Sequence, residues 1–244
     1  MSEQDPYVSV VIPVYNEEAI LYAAAMDLRE RLGRIGWRYE VILAENGSRD
    51  GTVAVAAEIA GRYPEFRGFS LGEPNYGKAL RRGILEARAP IVICEEIDLC
   101  DTAFHQRAVG LIERGEAEFV VGSKLLEGSN DERPWGRHAA SQVYNGLLRA
   151  LLGYRGTDTH GLKAFVRERV APIVEECLVD RDVFASELVI RADRAGVAVR
   201  EIPVRVMEKR PPSINLHRRV PAVLKQLTKL TWSIRMGVHL TRRR

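Results

Sequence analysis

The sequence predicts an α/β fold with a mostly parallel sheet flanked by helices and a basic amphipathic helix at the C-terminal end. Three observations carry this expectation. Short apolar, β-branched runs recur along the first half, each followed by a stretch with helical apolar spacing. Strands of this kind, apolar along their whole length, are buried on both faces, as parallel sheets require. The charge is also segregated: residues 205–244 carry 11 Lys/Arg against the single acid Glu208, and residues 1–204 carry 25 basic and 32 acidic side chains.

Taken in order, residues 7–13 form a β-branched run ended by Pro13 and read as the first strand. Residues 17–32 place Ile20, Ala23, Ala24, Leu28 and Leu32 on one helical face, with Gly33 as the expected stop. Residues 39–44 give a second strand, and Asn46-Gly47-Ser48 is a turn. A helix follows over 52–63 on Val53, Ala56, Ala57 and Ala60. Residues 66–71 make a weak strand, 78–89 a helix stopped by Pro90, 91–94 a fourth strand, 103–114 a helix and 119–122 a fifth strand. Beyond this, 125–136 is a polar loop suited to a lid, 137–152 and 182–195 are helices, and 198–207 is a final strand. Residues 209–216 form a loop with Pro211 and Pro212. From residue 218 the helical pattern returns, with Val220, Leu224, Leu227, Thr231, Ile234 and Val238 on one stripe among Arg218, Arg219, Lys225, Lys229, Arg235 and Arg242-Arg243-Arg244. We expect one domain over 1–216 with 217–244 appended to it.

Composition excludes several classes. At 46% apolar and 28% charged residues the chain is neither disordered nor collagenous. Cys94, Cys100 and Cys177 form no CxxC, which argues against a disulfide framework or a zinc knuckle and fits a reducing cytoplasm. No apolar run is long enough to span a bilayer, and the first 30 residues do not read as a signal peptide. A basic tail on a mildly acidic body suggests an anionic surface as partner. Without a nucleic-acid-binding motif, a membrane fits better than nucleic acid.

Ligands of open α/β sheets sit outside the carboxyl ends of the strands. Those ends read Tyr15-Asn16-Glu17, Glu45-Asn46-Gly47, Glu95-Glu96-Ile97-Asp98 and Ser123-Lys124. Three carboxylates this close repel one another, and a divalent cation resolves the conflict. Glu96 and Asp98 alternate and so face one side, with Glu95 on the other. A dehydrogenase-type dinucleotide site would need G-x-G-x-x-G after the first strand, where the sequence has Pro13-Val14-Tyr15-Asn16-Glu17.

Several segments together resemble a known family. The run 8–18, Ala44-Glu45-Asn46-Gly47-Ser48-Arg49-Asp50-Gly51-Thr52, Asn75-Tyr76-Gly77-Lys78, Glu96-Ile97-Asp98 and Gly122-Ser123-Lys124 resemble, in order, the motifs of family 2 glycosyltransferases with the GT-A (Rossmann-like) fold. Arg137 to Ser141, Asp158-Thr159-His160-Gly161-Leu162-Lys163-Ala164-Phe165, Glu187 and Arg210-Pro211-Pro212-Ser213 resemble the dolichyl- or polyprenyl-phosphate sugar synthase branch. Glu45-Asn46 stands where the family has Asp-Asp, Glu96 where it has the first Asp of D-x-D, and Cys100 where relatives often carry Gln.

The resemblance implies an inverting, metal-dependent hexosyltransferase. It would use a nucleotide sugar (GDP- or UDP-linked) and a polyprenyl phosphate at the membrane surface, and would be cytoplasmic and peripherally membrane-associated. It assigns Pro13, Tyr15, Glu17, Glu45, Asn46, Lys78, Glu96 and Arg210 to the nucleotide sugar, and Glu96 and Asp98 to Mg²⁺ or Mn²⁺. Lys124, Arg137, Ser141 and Ser213 fall to the acceptor phosphate, with Asp98, Lys124, Arg137 and Arg210 catalytic. Asp158 and Glu187 are candidates either for supporting the site from behind or for the acceptor side, and His160, as a lone histidine, reads first as a structural residue. A soluble or other hydroxyl acceptor, or a non-catalytic membrane-associated relative, is the alternative.

Overall fold

The computed structural model describes residues 5–131, 135–206 and 225–235. In chain order the elements are β1 (Val8–Val14), α1 (Leu21–Ile35), β2 (Tyr39–Glu45), α2 (Thr52–Arg62), β3 (Phe66–Ser70), α3 (Tyr76–Glu86), β4 (Ile91–Cys94), α4 (Thr102–Glu113), β5 (Phe119–Ser123), β6 (Asn130–Asp131), α5 (Trp135–Leu152), β7 (Lys163–Val166), α6 (Arg167–Glu176), a 3₁₀ turn (Arg181–Val183), α7 (Phe184–Arg194), β8 (Val199–Pro203) and β9 (Arg205–Val206). A last helix, α8, covers 225–235.

The strands need cover on both faces. In β1, Val8, Val10, Ile12 and Val14 are buried on one side and Val11 on the other. Helices α1, α2 and α4 seal the first face, and α3, α5, α6, α7 and α8 contribute to the core on the second. The sheet order is β3-β2-β1-β4-β7-β5-β8, with β6 and β9 forming a separate parallel pair. Strands β3, β2, β1 and β4 are parallel neighbours, as are β5 and β8. Strand β7 runs against both β4 and β5, with Lys163 opposite Cys94 on one side and Val121 on the other.

The mostly parallel sheet is therefore as expected, but β7 and α6 are additions. The reversed strand matters for function. Its beginning, not its end, lies at the carboxyl edge, so the segment leading into it (158–162) reaches that edge too.

Local chemistry explains the element ends. Asn75 caps α3 by accepting from Lys78 N at 3.0 Å, and Asp101 caps α4 by accepting from Phe104 N at 3.0 Å. The stop expected at Gly33 is overrun. Gly33 stays helical, and Gly36, at φ 81°, ends α1 instead. The polar loop after β5 contains the short β6, and helix begins at Trp135.

The C-terminal stripe calls for a correction over its described part. The helix is present at 225–235, but Leu227, Leu230 and Ile234 are buried in the domain core, so this apolar face covers the protein rather than a bilayer. Ser233 donates to Glu187 Oε1 at 2.9 Å and accepts from Arg191 at 2.8 Å, which fixes the helix to α7. Val220, Leu224 and Val238 lie outside the described residues. All three cysteines are buried and free.

Candidate active site

Four strand ends and the start of β7 build the carboxyl edge. On the β1–β2 side, the two loops are stitched together. Asn16 N donates to Ser48 Oγ (2.9 Å) and Arg49 N to Asn16 Oδ1 (2.8 Å). Glu17 N donates to Thr52 Oγ1 (2.7 Å), and Gly51 N to Glu18 Oε2 (2.9 Å). Tyr15 is exposed above this platform, and Pro13 is half-buried below it. The residues expected to wall a nucleotide pocket are thus preassembled by their own backbone.

Glu45 and Asn46 are structural as well as positional. The Glu45 carboxylate is buried and accepts from Ser48 N at 2.5 Å and from the Ser70 hydroxyl. Burial would raise its pKa, but the hydrogen bonds from Ser70, Ser48 and Gly47 override it and hold the group below the usual carboxylate range. Asn46 Oδ1 accepts from Asn75 N, tying the second loop to the start of α3. Gly47 is required there: its φ is +70°, and a Cβ would lie 2.3 Å from the Glu73 carbonyl carbon. Asn75 Oδ1 also accepts from Arg181 N at 3.1 Å, so one amide joins α3 to the 3₁₀ turn. Lys78 sits in the first turn of α3, where a phosphate is favoured, and its exposed ammonium pairs with Glu73 at 2.6 Å.

The acidic loop after β4 divides as its alternation implied. Glu95 turns inward: Oε1 accepts from Glu96 N (2.9 Å), and Oε2 accepts from Asp101 N (3.0 Å) and lies 2.7 Å from His105 Nε2. Glu95 and His105 are both fully buried, so the pair locks the loop to α4. Glu96 and Asp98 are left at the accessible surface. Surrounding protein first, and the Asp98 carboxylate second, push the Glu96 pKa up to about 7, while Lys124 and Lys163 pull it down. Cys100 is buried, with its thiol directed at the Ile97 carbonyl (3.4 Å).

On the opposite side, Lys124 follows β5 and its Nζ lies 3.4 Å from Asp158 Oδ2. Asp158 is 1% exposed. Burial raises its pKa, but Lys124 and the His160 N–H (2.9 Å) together hold it below the usual range. Glu201 supports this loop from β8, accepting from Thr157 N (2.8 Å), Thr157 Oγ1 (2.9 Å) and Asp158 N (3.0 Å). Gly161 lets the loop touch β5, since a Cβ there would fall 1.6 Å from Gly122 O. His160 packs edge-on against Tyr144 of α5, with ring centroids 5.0 Å apart.

Among the expected residues, the described edge brings together Pro13, Tyr15, Glu17, Glu45, Asn46 and Lys78 on one flank, Glu96 and Asp98 at the centre, and Lys124 with Asp158 on the other. Ser141 lies in α5 and its carbonyl accepts from Asn145 at 2.9 Å. Arg137 belongs to the first turn of the same helix, but its side chain lies outside the described residues, as do Arg210 and Ser213 entirely. Of the two roles expected for Glu187, the structure leaves the supporting one. Glu187 is fully buried, accepts from Leu178 N and Val179 N at 2.9 and 2.7 Å, and binds Arg191 and Ser233, so it anchors α7 and α8 instead of facing an acceptor.

Sequence reading missed Lys163, Glu201 and His105. Lys163 is 2% exposed at the start of β7, donates to Gly161 O at 2.6 Å, and has its pKa lowered by burial. A lone lysine opening an apolar run beside glycine was the available signal.

The chain is similar to several known proteins. Residues 9–171 match the family described as Glycosyl transferase family 2. Glycosyltransferase AglD of Haloferax volcanii is 29% identical over 97% of this chain and 39% of its own length. Dolichyl-phosphate beta-glucosyltransferase ALG5D of Trichomonas vaginalis is 29% identical over 81% of this chain and 65% of its own. Undecaprenyl-phosphate 4-deoxy-4-formamido-L-arabinose transferase of Edwardsiella ictaluri is 27% identical over 83% and 61%. The chain therefore spans between about two fifths and two thirds of these relatives. Among solved structures, glucosyl-3-phosphoglycerate synthase from Mycobacterium tuberculosis, crystallised with Mn²⁺, UDP-glucose and phosphoglyceric acid, superposes with a TM-score of 0.64 at 23% identity over 93% of this chain and 80% of that one. That likeness shares the GT-A fold. The sequence match over two thirds of the chain, on a sheet whose carboxyl edge gathers the acidic and basic residues described above, makes this protein a member of glycosyl transferase family 2.

Proposed function

We propose that the chain transfers a sugar from a GDP- or UDP-linked donor to a polyprenyl phosphate, with inversion at C1. The catalytic unit is residues 1–216 with 217–244 appended, working peripherally at the cytoplasmic membrane surface. The observation that carries this reading is the convergence of opposite charge on one edge: Glu96 is influenced at once by Asp98, Lys124 and Lys163. An acidic pair beside ammonium groups suits a reaction between two phosphate-bearing substrates.

The residues present fit a divalent cation. Glu96 and Asp98 are neighbouring carboxylates whose like charge adds to burial in raising the Glu96 pKa, a repulsion that a cation would relieve. Among the described residues no group of three His, Cys, Asp or Glu forms a closed cage. Mg²⁺ and Mn²⁺ take few protein carboxylates and complete their shells with phosphate oxygens and water, so the protein's share can be the Glu96 and Asp98 carboxylates. When bound, the cation supplies positive charge to the leaving diphosphate.

The chain's own residues do the rest. Pro13, Tyr15, Glu17, Glu45 and Asn46 form the floor for the nucleoside, and Lys78 at the helix start favours phosphate. Lys124 has three donors, and its pairing with Asp158 leaves others for the acceptor phosphate, alongside Arg137, Ser141 and Ser213. Arg210 is assigned to the donor diphosphate. An acceptor oxygen bonds to C1 from the face opposite the diphosphate. The C1–O bond to the donor breaks, and the electron pair leaves with the nucleoside diphosphate. A phosphate monoester is largely ionised near neutral pH, its second pKa being about 6, so no general base is needed. The buried Asp158 is held ionised beside Lys124, which suits orienting that lysine better than deprotonating a hydroxyl.

The test is incubation with a panel of nucleotide sugars, Mg²⁺ or Mn²⁺, and a short polyprenyl phosphate, with sugar-lipid product resolved by chromatography. Product formation is the expected result. Nucleotide release without glycosylated lipid would assign a different acceptor, and absence of nucleotide binding in calorimetry would overturn the reading.

A further inference from the structure

Helix α5 is apolar on two sides. Its inner side buries Leu148 and Leu152 in the core and places Tyr144 against that core. Its outer side carries Val143, Leu147 and Leu151 at i, i+4 and i+8, exposed by 64%, 36% and 39%, with Gly146 and Ala150 between them. A surface helix normally turns charge outward, and one that is apolar all round requires a cover on its second side.

The charge around this face selects the cover. Neither α5 nor the described α8 contains an acid. Arg149, Lys225, Lys229 and Arg235 are exposed on them, and Arg149 and Arg235 donate to the backbone carbonyls of Gly156 and Leu151. The Arg235–Leu151 bond (3.1 Å) brings the end of α8 to the end of α5. One turn earlier, Trp232 is 64% exposed. By contrast, cations on α1 sit in i,i+4 pairs with acids, Arg31 with Asp27 and Arg34 with Glu30. Apolar side chains, an exposed tryptophan and exposed cations on two helices that carry no acid match the headgroup region of an anionic bilayer. The face is also continuous with the acceptor side of the site, because Tyr144, next to Val143, packs on His160 two residues from Asp158.

We propose that the outer face of α5, flanked by the exposed cations and Trp232 of α8, docks on an anionic lipid surface. This rests on the reading of the acceptor as a membrane lipid and relocates the contact: the described tail helix spends its apolar stripe on the protein core, and α5 presents the free one.

The experiment uses the full chain with phosphatidylcholine vesicles, with and without phosphatidylglycerol, in co-sedimentation. Wild type should bind the anionic vesicles, less so at high salt. Leu147→Glu and Val143→Glu should each lower partitioning at least about tenfold. Val53→Glu, at an exposed site on α2, should leave it unchanged. Equal binding by all variants, or no binding by wild type, would overturn the proposal. So would a dimer in sedimentation velocity that Leu147→Glu dissolves without any vesicle binding, since a second copy would then be the cover. Variants that lose vesicles yet glycosylate a short, water-soluble polyprenyl phosphate support it. Intact, Leu147-dependent vesicle binding without transfer to any polyprenyl phosphate would support the docking face while removing the proposed reaction.

Discussion

The two flanks of the carboxyl edge are held by different forces. The flank formed by β1, β2 and α3 is knit by backbone-directed hydrogen bonds, with Asn16, Thr52, Asp50, Asn46 and Asn75 each answering a main-chain N–H. The flank formed by β5, β7 and β8 is held by charge. Lys124 faces Asp158, Lys163 is buried under the same loop, and Glu201 gathers donors from Thr157, Asp158 and Tyr154. Side chains that answer main-chain N–H groups fix the shape of the first flank, whereas on the second the Lys124 ammonium keeps donors beyond its contact with Asp158. The difference suggests a preformed cradle for the larger, more varied nucleotide and a charged seat for a simple phosphate.

That contrast can be broken at the centre of the edge. Asp98→Ala should lower kcat/KM by about 10²–10³, the scale of losing one preorganised electrostatic contact. Its melting temperature should stay near wild type, since solvent-facing substitutions cost within about 0.5 kcal/mol. A fully active variant in the sugar-lipid assay would detach the acidic loop from the chemistry.

On the charged flank, Lys124→Ala should cost about 10- to 100-fold, the range of one charge-assisted hydrogen bond. The loss should appear in KM for the lipid phosphate, with KM for the nucleotide sugar unmoved. A change in the donor KM alone would erase the distinction between flanks. On the hydrogen-bonded flank, Asn75→Ala removes an acceptor shared by Lys78 N and Arg181 N, and should cost about 1–2 kcal/mol in chemical denaturation.

The smallest effect concerns pH and the far end of β2. Burial raises the pKa of Glu40, but Arg67 (2.7 Å), Ser9 (2.6 Å) and Arg88 N (2.8 Å) override it, leaving the group lowered. A depressed folded value means the stabilisation is complete above the unfolded value of about 4.3 and is lost as pH falls through the folded one. Glu40→Gln should therefore flatten the fall in melting temperature below about pH 4 relative to wild type. An unchanged slope would assign acid sensitivity to other carboxylates.

The sequence made the first half of this fold legible because its strands are continuous apolar runs and its helices carry clear stops. Strand β7 was hidden because four residues, opened by a lysine, carry no signal of direction. Pairing with both β4 and β5 decided it. Helix α6 was masked by Pro172 in its interior. At the site, alternation correctly separated Glu95 from Glu96 and Asp98, because two-residue periodicity is a local property. It could not reveal His105 as the partner of Glu95, or Glu201 as the support of Asp158, since those meetings depend on tertiary packing. The role of Glu187 stayed open for the same reason: a buried glutamate and an acceptor-facing one look alike until Leu178, Val179 and Ser233 are seen around it.

The reversed polarity of β7 has an architectural consequence. Residues 153–162 leave from the end of α5 and re-enter the sheet at a point pinned by the Gly122–Gly161 approach, so both ends of the segment are fixed. A stretch anchored at both ends and remote from the β1–β2 loops can change at its exposed positions while its buried anchors, Tyr154, Asp158 and Leu162, stay in place. On the proposed function, the choice of recipient would then be open to redesign without rebuilding the half assigned to the sugar nucleotide.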